Sequence, residues 1–288
     1  MSQDPHGKGA GGELSTVTKQ MLESNTLLES FGNAQTLRNN NSSRFGKFMG
    51  LKLDFRGAIR GGNISTYLLE KSRVVTHIAG ERNFHVFHMI TSGSGAEMAA
   101  TLGLGGGEEQ FRYLNNVHSD VPGRDEVGEF EQLMRSMEVV GIMEEQRTTV
   151  CRLLAAILHL GNITMGADGE GNAVISDADD QTTAVAEAAR LLGLDGREAF
   201  LTRALCNRTI SVKAGRRASV SVVPLDLDQA THSRDSLSKV RRPRANLYTM
   251  FSVVCVLVAT YVSGILQVLF SVCTSSDIYI LGSYPDMT

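Results

Sequence analysis

The 288 residues predict an α/β chain, mostly helical, with a few strands and one β-hairpin. Three observations carry that prediction. Phe130, Leu133, Met134, Met137 and Val140 recur at helical spacing, as do Val150, Leu153, Leu154, Ile157 and Leu158, so each set lines one helix face. Leu51, Leu53 and Phe55 instead alternate with Lys52 and Asp54, the period of a strand. Residues 210–213 and 219–223 flank a turn around Gly215, which reads as a hairpin.

Taken in order, residues 1–13 are a polar, glycine-rich leader without the apolar core of a signal peptide. The run from His6 to Glu13 is not a phosphate loop, because Lys8 is followed by Gly9 and no strand precedes it. A strand is expected over 45–55, broken by Gly57, Gly61 and Gly62 into a hairpin or bulge, with 54–57 as its turn. His85 and His88 sit three apart on a helix; with no third ligand near, they are packed residues and not a metal pair. Asp177, Asp179 and Asp180 read as a solvated acidic loop, since the other positions of a calcium loop are absent. Helices follow over 182–192 and 197–206, joined through Gly193 and Gly196, then the hairpin and a helix over 226–239.

A net charge of −3 gives no whole-chain case for binding nucleic acid, and 42% hydrophobic residues suffice for one large domain or two. Cys151, Cys206, Cys255 and Cys273 lack metal-ligand spacing, so structural thiols in a reduced compartment are the expectation. Residues 245–276 contain no Asp, Glu, Lys or Arg, and 250–273 are long enough to span a bilayer, with Arg241, Arg242 and Arg244 on the cytoplasmic side.

The most informative stretch is 39–47: Asn39, Asn40, Asn41, Ser42, Ser43, Arg44, Phe45, Gly46 and Lys47. Short Asn and Ser side chains offer donors and acceptors, Arg44 a fixed cationic fork, and Gly46 a close backbone turn. On composition such a run is a polar turn; it can equally wrap a polyphosphate, with a Ser hydroxyl on Mg²⁺. This run resembles the switch I loop of the myosin motor domain. The resemblance continues through Met21 to Ala34, Gly61 to Val74, Glu81 to His88 and Leu158 to Ile163, and over 14–239 it is colinear.

The resemblance implies the myosin P-loop NTPase motor fold and actin-activated ATP hydrolysis, with ATP and Mg²⁺ bound and actin filaments as partner. It implies phosphate contacts from Asn39, Ser42 and Ser43, Mg²⁺ ligation by Ser43, and a catalytic Arg44 paired with the switch II glutamate. The hairpin would be an actin-contacting loop. Ser219 lies 16 residues before Asp235, where the family carries an acidic or phosphorylatable residue, and Arg216, Arg217 and Ala218 before it make a basophilic-kinase context. The family's phosphate loop and switch II have no counterpart in these residues, so the expectation is a motor-domain fragment inactive alone, in the cytoplasm on the actin cytoskeleton. The 240–288 tail departs from the pattern: a read-through or mis-spliced end is favoured, a membrane span the alternative. A non-catalytic actin-interaction fragment and a membrane-anchored protein remain the competing classes.

Overall fold

The computed structural model describes residues 16–57, 59–114, 123–176, 179–214 and 217–239. Helix α1 (Thr16–Gly32) runs into β1 (Asn33–Thr36), which turns back through Leu37 and Arg38 into β2 (Asn39–Ser43). Next come β3 (Gly46–Leu53) and β4 (Ile59–Tyr67), then a 3₁₀ turn at Lys71–Val74. Helices α2 (His85–Gly93), α3 (Gly95–Leu102), α4 (Glu126–Val139) and α5 (Glu144–Asn162) build the centre. A small pair, β5 (Met165–Ala167) and β6 (Ala173–Ile175), precedes α6 (Asp179–Leu191) and α7 (Glu198–Cys206). The ribbon β7 (Asn207–Ala214) and β8 (Arg217–Pro224), then α8 (Leu227–Lys239), complete the described chain.

Every sheet among the described residues is a two-stranded antiparallel pair, so the helices supply most of the core. The α5 face carrying Leu154, Ile157 and Leu158 is buried, as the periodicity requires, against α6, α8 and α2. Helix α4 packs Phe130, Leu133 and Met137 toward α1 and α2. Its start is fixed by Asp125, whose side chain accepts from the Gly128 amide and satisfies one of the donors a helix start leaves free. Asn83 is the internal knot. Its Nδ2 donates to the carbonyls of Val74 at 2.9 Å and Tyr113 at 3.0 Å, while its Oδ1 accepts from the Phe84 amide at 2.8 Å.

Helix α8 is clamped to the same centre. Tyr113 donates its hydroxyl to Asp235 at 2.9 Å, and Arg234 donates to the Ile163 carbonyl at 2.7 Å. The root of the ribbon is closed by Leu225, whose amide donates to Cys206 and whose carbonyl accepts from Ala173.

Several expectations need correction. The 39–43 stretch is not an irregular loop: it is strand β2, with Ser43 opposite Asn33 and Ser42 opposite Ala34. Asp179 and Asp180 open helix α6 instead of lying in a loop, since acidic residues are favoured in the first turn of a helix; Asp177 lies outside the described residues. The strand expected over 45–55 ends at Leu53, and Phe55 stands 76% exposed in the turn. That turn is closed by the Gly57 amide on the Asp54 carbonyl, with Gly57 at φ 79°. The register slips between Lys52 and Leu53, the bulge that the glycines foretell. The leader and the whole 240–288 tail fall outside the described residues, among which no helix is long and apolar enough to cross a membrane.

Candidate functional site

The 39–44 arm is held at both ends and open between them. At its C-terminal end, a Cβ added to Gly32 would stand 2.3 Å from the Phe45 ring, so the absence of a side chain there lets Phe45 lie across the end of α1. The Arg44 amide then donates to the Gly32 carbonyl at 2.8 Å, and the Arg44 carbonyl accepts from the Glu70 amide at 2.9 Å. The Arg44 side chain follows its backbone: Nε donates to Glu70 Oε2 at 2.6 Å and Nη1 to Ser42 Oγ at 3.2 Å. Next along the chain, Lys47 reaches Asn25 at 3.1 Å and Glu29 at 3.2 Å, fastening β3 to α1.

At the other end, Asn33 donates to the Asn41 amide oxygen at 3.0 Å, and Asn41 meets His85 Nε2 at 3.1 Å. The same ring nitrogen lies 3.0 Å from Arg124 Nη1. Burial first, then the charges of Arg124, Arg82 and His88, push the His85 pKa down to about 2, so the ring is neutral; with Nε2 accepting from Arg124 it only abuts the Asn41 oxygen, which is held by Asn33. Behind the arm, Asn41, His85, Met89, Ser30 and Glu129 help to line a pocket of about 230 Å³.

Beneath the arm runs a network of buried charge that the sequence did not single out. Arg73, 2% exposed at its side chain, bonds Glu70 at 2.8 Å, Glu81 at 2.7 Å and the Arg82 carbonyl at 3.0 Å. Arg82, 1% exposed, reaches Glu126 at 2.8 Å. His88 Nδ1 lies 2.8 Å from Glu108; burial keeps the ring neutral against that carboxylate, and the bond runs from the ring N–H to the ionised Glu108. Burial pulls the Glu70 pKa up, yet hydrogen bonds and charge from Arg73 and Arg44 outweigh it and leave the carboxyl below its ordinary value. The available signal was spacing: Glu70 and Arg73 sit three apart, and Glu81 and Arg82 interrupt an apolar stretch.

The structure therefore brings Ser42 and Arg44 together and leaves Asn39 and Ser43 exposed on β2. Asn39 Oδ1 turns back onto the Asn41 amide at 2.8 Å. Among the described residues no hydrogen bond engages the Ser43 hydroxyl or Arg44 Nη2. A free hydroxyl suits a hard oxygen-seeking cation and a free guanidinium edge suits phosphate, so the donor set fits one wall of an Mg²⁺–polyphosphate site. Among the described residues the carboxylate partner of Arg44 is Glu70. His85 and His88 are packed as expected, and no metal-holding group of His, Cys, Asp and Glu occurs among the described residues.

The ribbon stands apart from this arm in sequence and in partners. Ser219 pairs in register with Val212 and Arg217 with Ala214; Arg216 lies outside the described residues. Val220 and Val222 are 66% and 55% exposed.

The family described as myosin head (motor domain) matches residues 5–262. The myosin IE heavy chain of Dictyostelium discoideum is 42% identical over 242 residues, covering 83% of this chain and 23% of that protein. Unconventional myosin-Ia of Mus musculus is 40% identical over 231 residues, 80% of this chain and 22% of that one. Myosin-1 of Emericella nidulans is 44% identical over 237 residues, 80% and 18% respectively. The chain thus spans about a fifth of the length of these curated relatives.

Proposed function

The chain belongs to the myosin head (motor domain) family, and from that premise we propose that its 39–44 arm is the switch I element of an actin-based ATPase. In this reading Asn39, Ser42 and Ser43 contact the phosphates of ATP, Ser43 ligates Mg²⁺, and Arg44 is the catalytic cation. Bound Mg²⁺ neutralises charge developing on the phosphate oxygens. The chain's own residues position. The β1–β2 ladder presents the Ser43 hydroxyl outward, the Arg44 backbone is fixed between Gly32 and Glu70, and the free edge of its guanidinium meets anionic oxygen. The observation that carries the reading is the Ser43 hydroxyl, unengaged among the described residues, on an arm whose two ends are tied down.

Actin is the proposed macromolecular partner, met through the β7–β8 ribbon with Arg216, Arg217 and Ser219. The proposed location is the actin cytoskeleton of the cytoplasm. The 288 residues contain no Gly-x-x-x-x-Gly-Lys-Ser/Thr sequence, so no lysine-bearing loop within them cradles the β- and γ-phosphates. The purified chain is expected to cosediment with actin filaments, less so as salt rises, without ATP turnover above background. Failure to cosediment at low salt would remove the actin reading. Actin-stimulated Mg-ATPase that disappears in Arg44→Ala would remove the claim of inactivity and strengthen that of Arg44.

A further inference from the structure

Glu70 has a geometry that the arm's proposed role does not require. Its Oε2 accepts from two guanidinium groups at once, Arg44 Nε at 2.6 Å and Arg73 Nε at 2.8 Å. The two donors differ in kind. Arg73 is buried and bonded again to Glu81 and to the Arg82 carbonyl, so it is an immobile part of the core. Arg44 is 30% exposed at its side chain and sits at the end of a two-stranded arm. One donor is fixed and the other is free to leave.

We infer that Glu70 is a positioning residue: Arg73 anchors its carboxylate, and that carboxylate holds the Arg44 guanidinium against strand β2, ready to be handed to an anionic ligand or a competing carboxylate. The exchange is built in, because departure of Arg44 does not strand a charge. Glu70 keeps Arg73 as partner and stays ionised, whereas a carboxylate paired with Arg44 alone would be left uncompensated. Arg44 keeps its backbone ties to Gly32 and Glu70, so release swings the side chain without moving the arm. The 33% exposure of Glu70 keeps the Arg44–Glu70 pair weak enough to open.

The inference rests on the switch I reading for the identity of the competing ligand, and not for the latch itself. The test is phenylglyoxal modification of the folded 288-residue chain, with Arg44 and Arg38 quantified by peptide mapping. Arg38, exposed in the β1–β2 turn, is the internal reference. In Glu70→Gln the Arg44 rate is expected to rise about two- to fivefold, the scale of a partly exposed ion pair, with Arg38 unchanged. Glu29→Gln, which loosens Lys47 on the neighbouring strand, should leave both rates alone, and Glu70→Asp should restore part of the protection. Equal rises at Arg38 and Arg44 would mean general loosening and overturn the latch, as would no change at Arg44. Protection of Arg44 by added Mg·ATP in the parent chain is a separate readout: its absence overturns the phosphate-binding reading while the nucleotide-free rates still decide the latch.

Discussion

Arg82 and Arg135 show how differently one residue type can act in the same chain. Arg82 is buried with Glu126 at 2.8 Å and Glu108 at 3.8 Å, and its Nε and Nη1 find no partner among the described residues. Removing its charge leaves two mostly buried carboxylates short of a cation, Glu126 with Arg124 at 3.8 Å and Glu108 with the neutral donors His88 and Ser92. Arg82→Gln is therefore expected to cost about 3–5 kcal/mol, read as a fall in the urea midpoint. Arg135 pairs with Glu131 at 3.5 Å across an exposed helix face, both side chains at least 60% accessible. Arg135→Gln should change stability by less than about 1 kcal/mol. Comparable losses in the two variants would show that the network under the arm is not desolvated. Neither sequence position announces this contrast; it arises because the chain folds Glu108 and Glu126, both distant from Arg82 in sequence, over its guanidinium.

Among the elements, α4 starts on a single side chain, as α8 does on Asp226, whose Oδ1 accepts from the Gln229 amide at 2.8 Å. Asp125→Ala removes the acceptor for the Gly128 amide and is expected to cost about 1 kcal/mol, measurable as a lower melting temperature. Asp125→Asn should keep most of it, and a loss as large as that of Ala would argue against a capping role. The ribbon carries a different prediction. Phosphorylation of Ser219 adds about −1.5 to −2 charges on a strand flanked by Arg216 and Arg217, so Ser219→Glu should strengthen actin cosedimentation in a salt-sensitive way while Ser219→Ala leaves it basal. Identical binding by both would make Ser219 an ordinary strand serine. The helices and the ribbon were legible in sequence because periodicity reports a buried face directly, and 130–140 and 150–158 fell on α4 and α5. The arm's composition was legible too, but not its conformation. A run of Asn and Ser has no strand period, and only pairing with β1 makes it extended. The Arg44–Glu70 pair was not legible, since an ion pair 26 residues apart leaves no local trace. The expected 45–55 strand runs too far because alternation continues into Phe55, although Phe48, Leu51 and Phe55 are all exposed, Phe55 with the Arg56 guanidinium over its ring.

For the molecule as a whole, acid is the expected stressor. His77, His85, His88 and His159 all have pKa values lowered from 6.5, burial being the first cause in each. The unfolded chain takes up those protons below about pH 6.5 while the folded chain refuses them, so stability is full above that pH and declines as pH falls. Glu70 and Glu108, held low in the fold, extend the loss below about pH 4.5, and Glu129, raised, offsets part of it. Thermal melts should therefore fall steadily from about pH 7 to about pH 5, and a flat profile there would contradict neutral buried histidines. The clamp on α8 has a mechanical meaning as well. Tyr113 holds Asp235 with its hydroxyl and Asn83 with its carbonyl, and two residues beyond Asn83 stands His85, against the arm. Short bonds in series are stiff, and a packed interior yields little. The β7–β8 ribbon, with no third strand beside it among the described residues, is compliant by comparison. Under a pull the ribbon is a leaf spring bolted at its root: it takes up the displacement, and the load is shared between the Leu225 bonds to Cys206 and Ala173 and the α8 clamp at Tyr113.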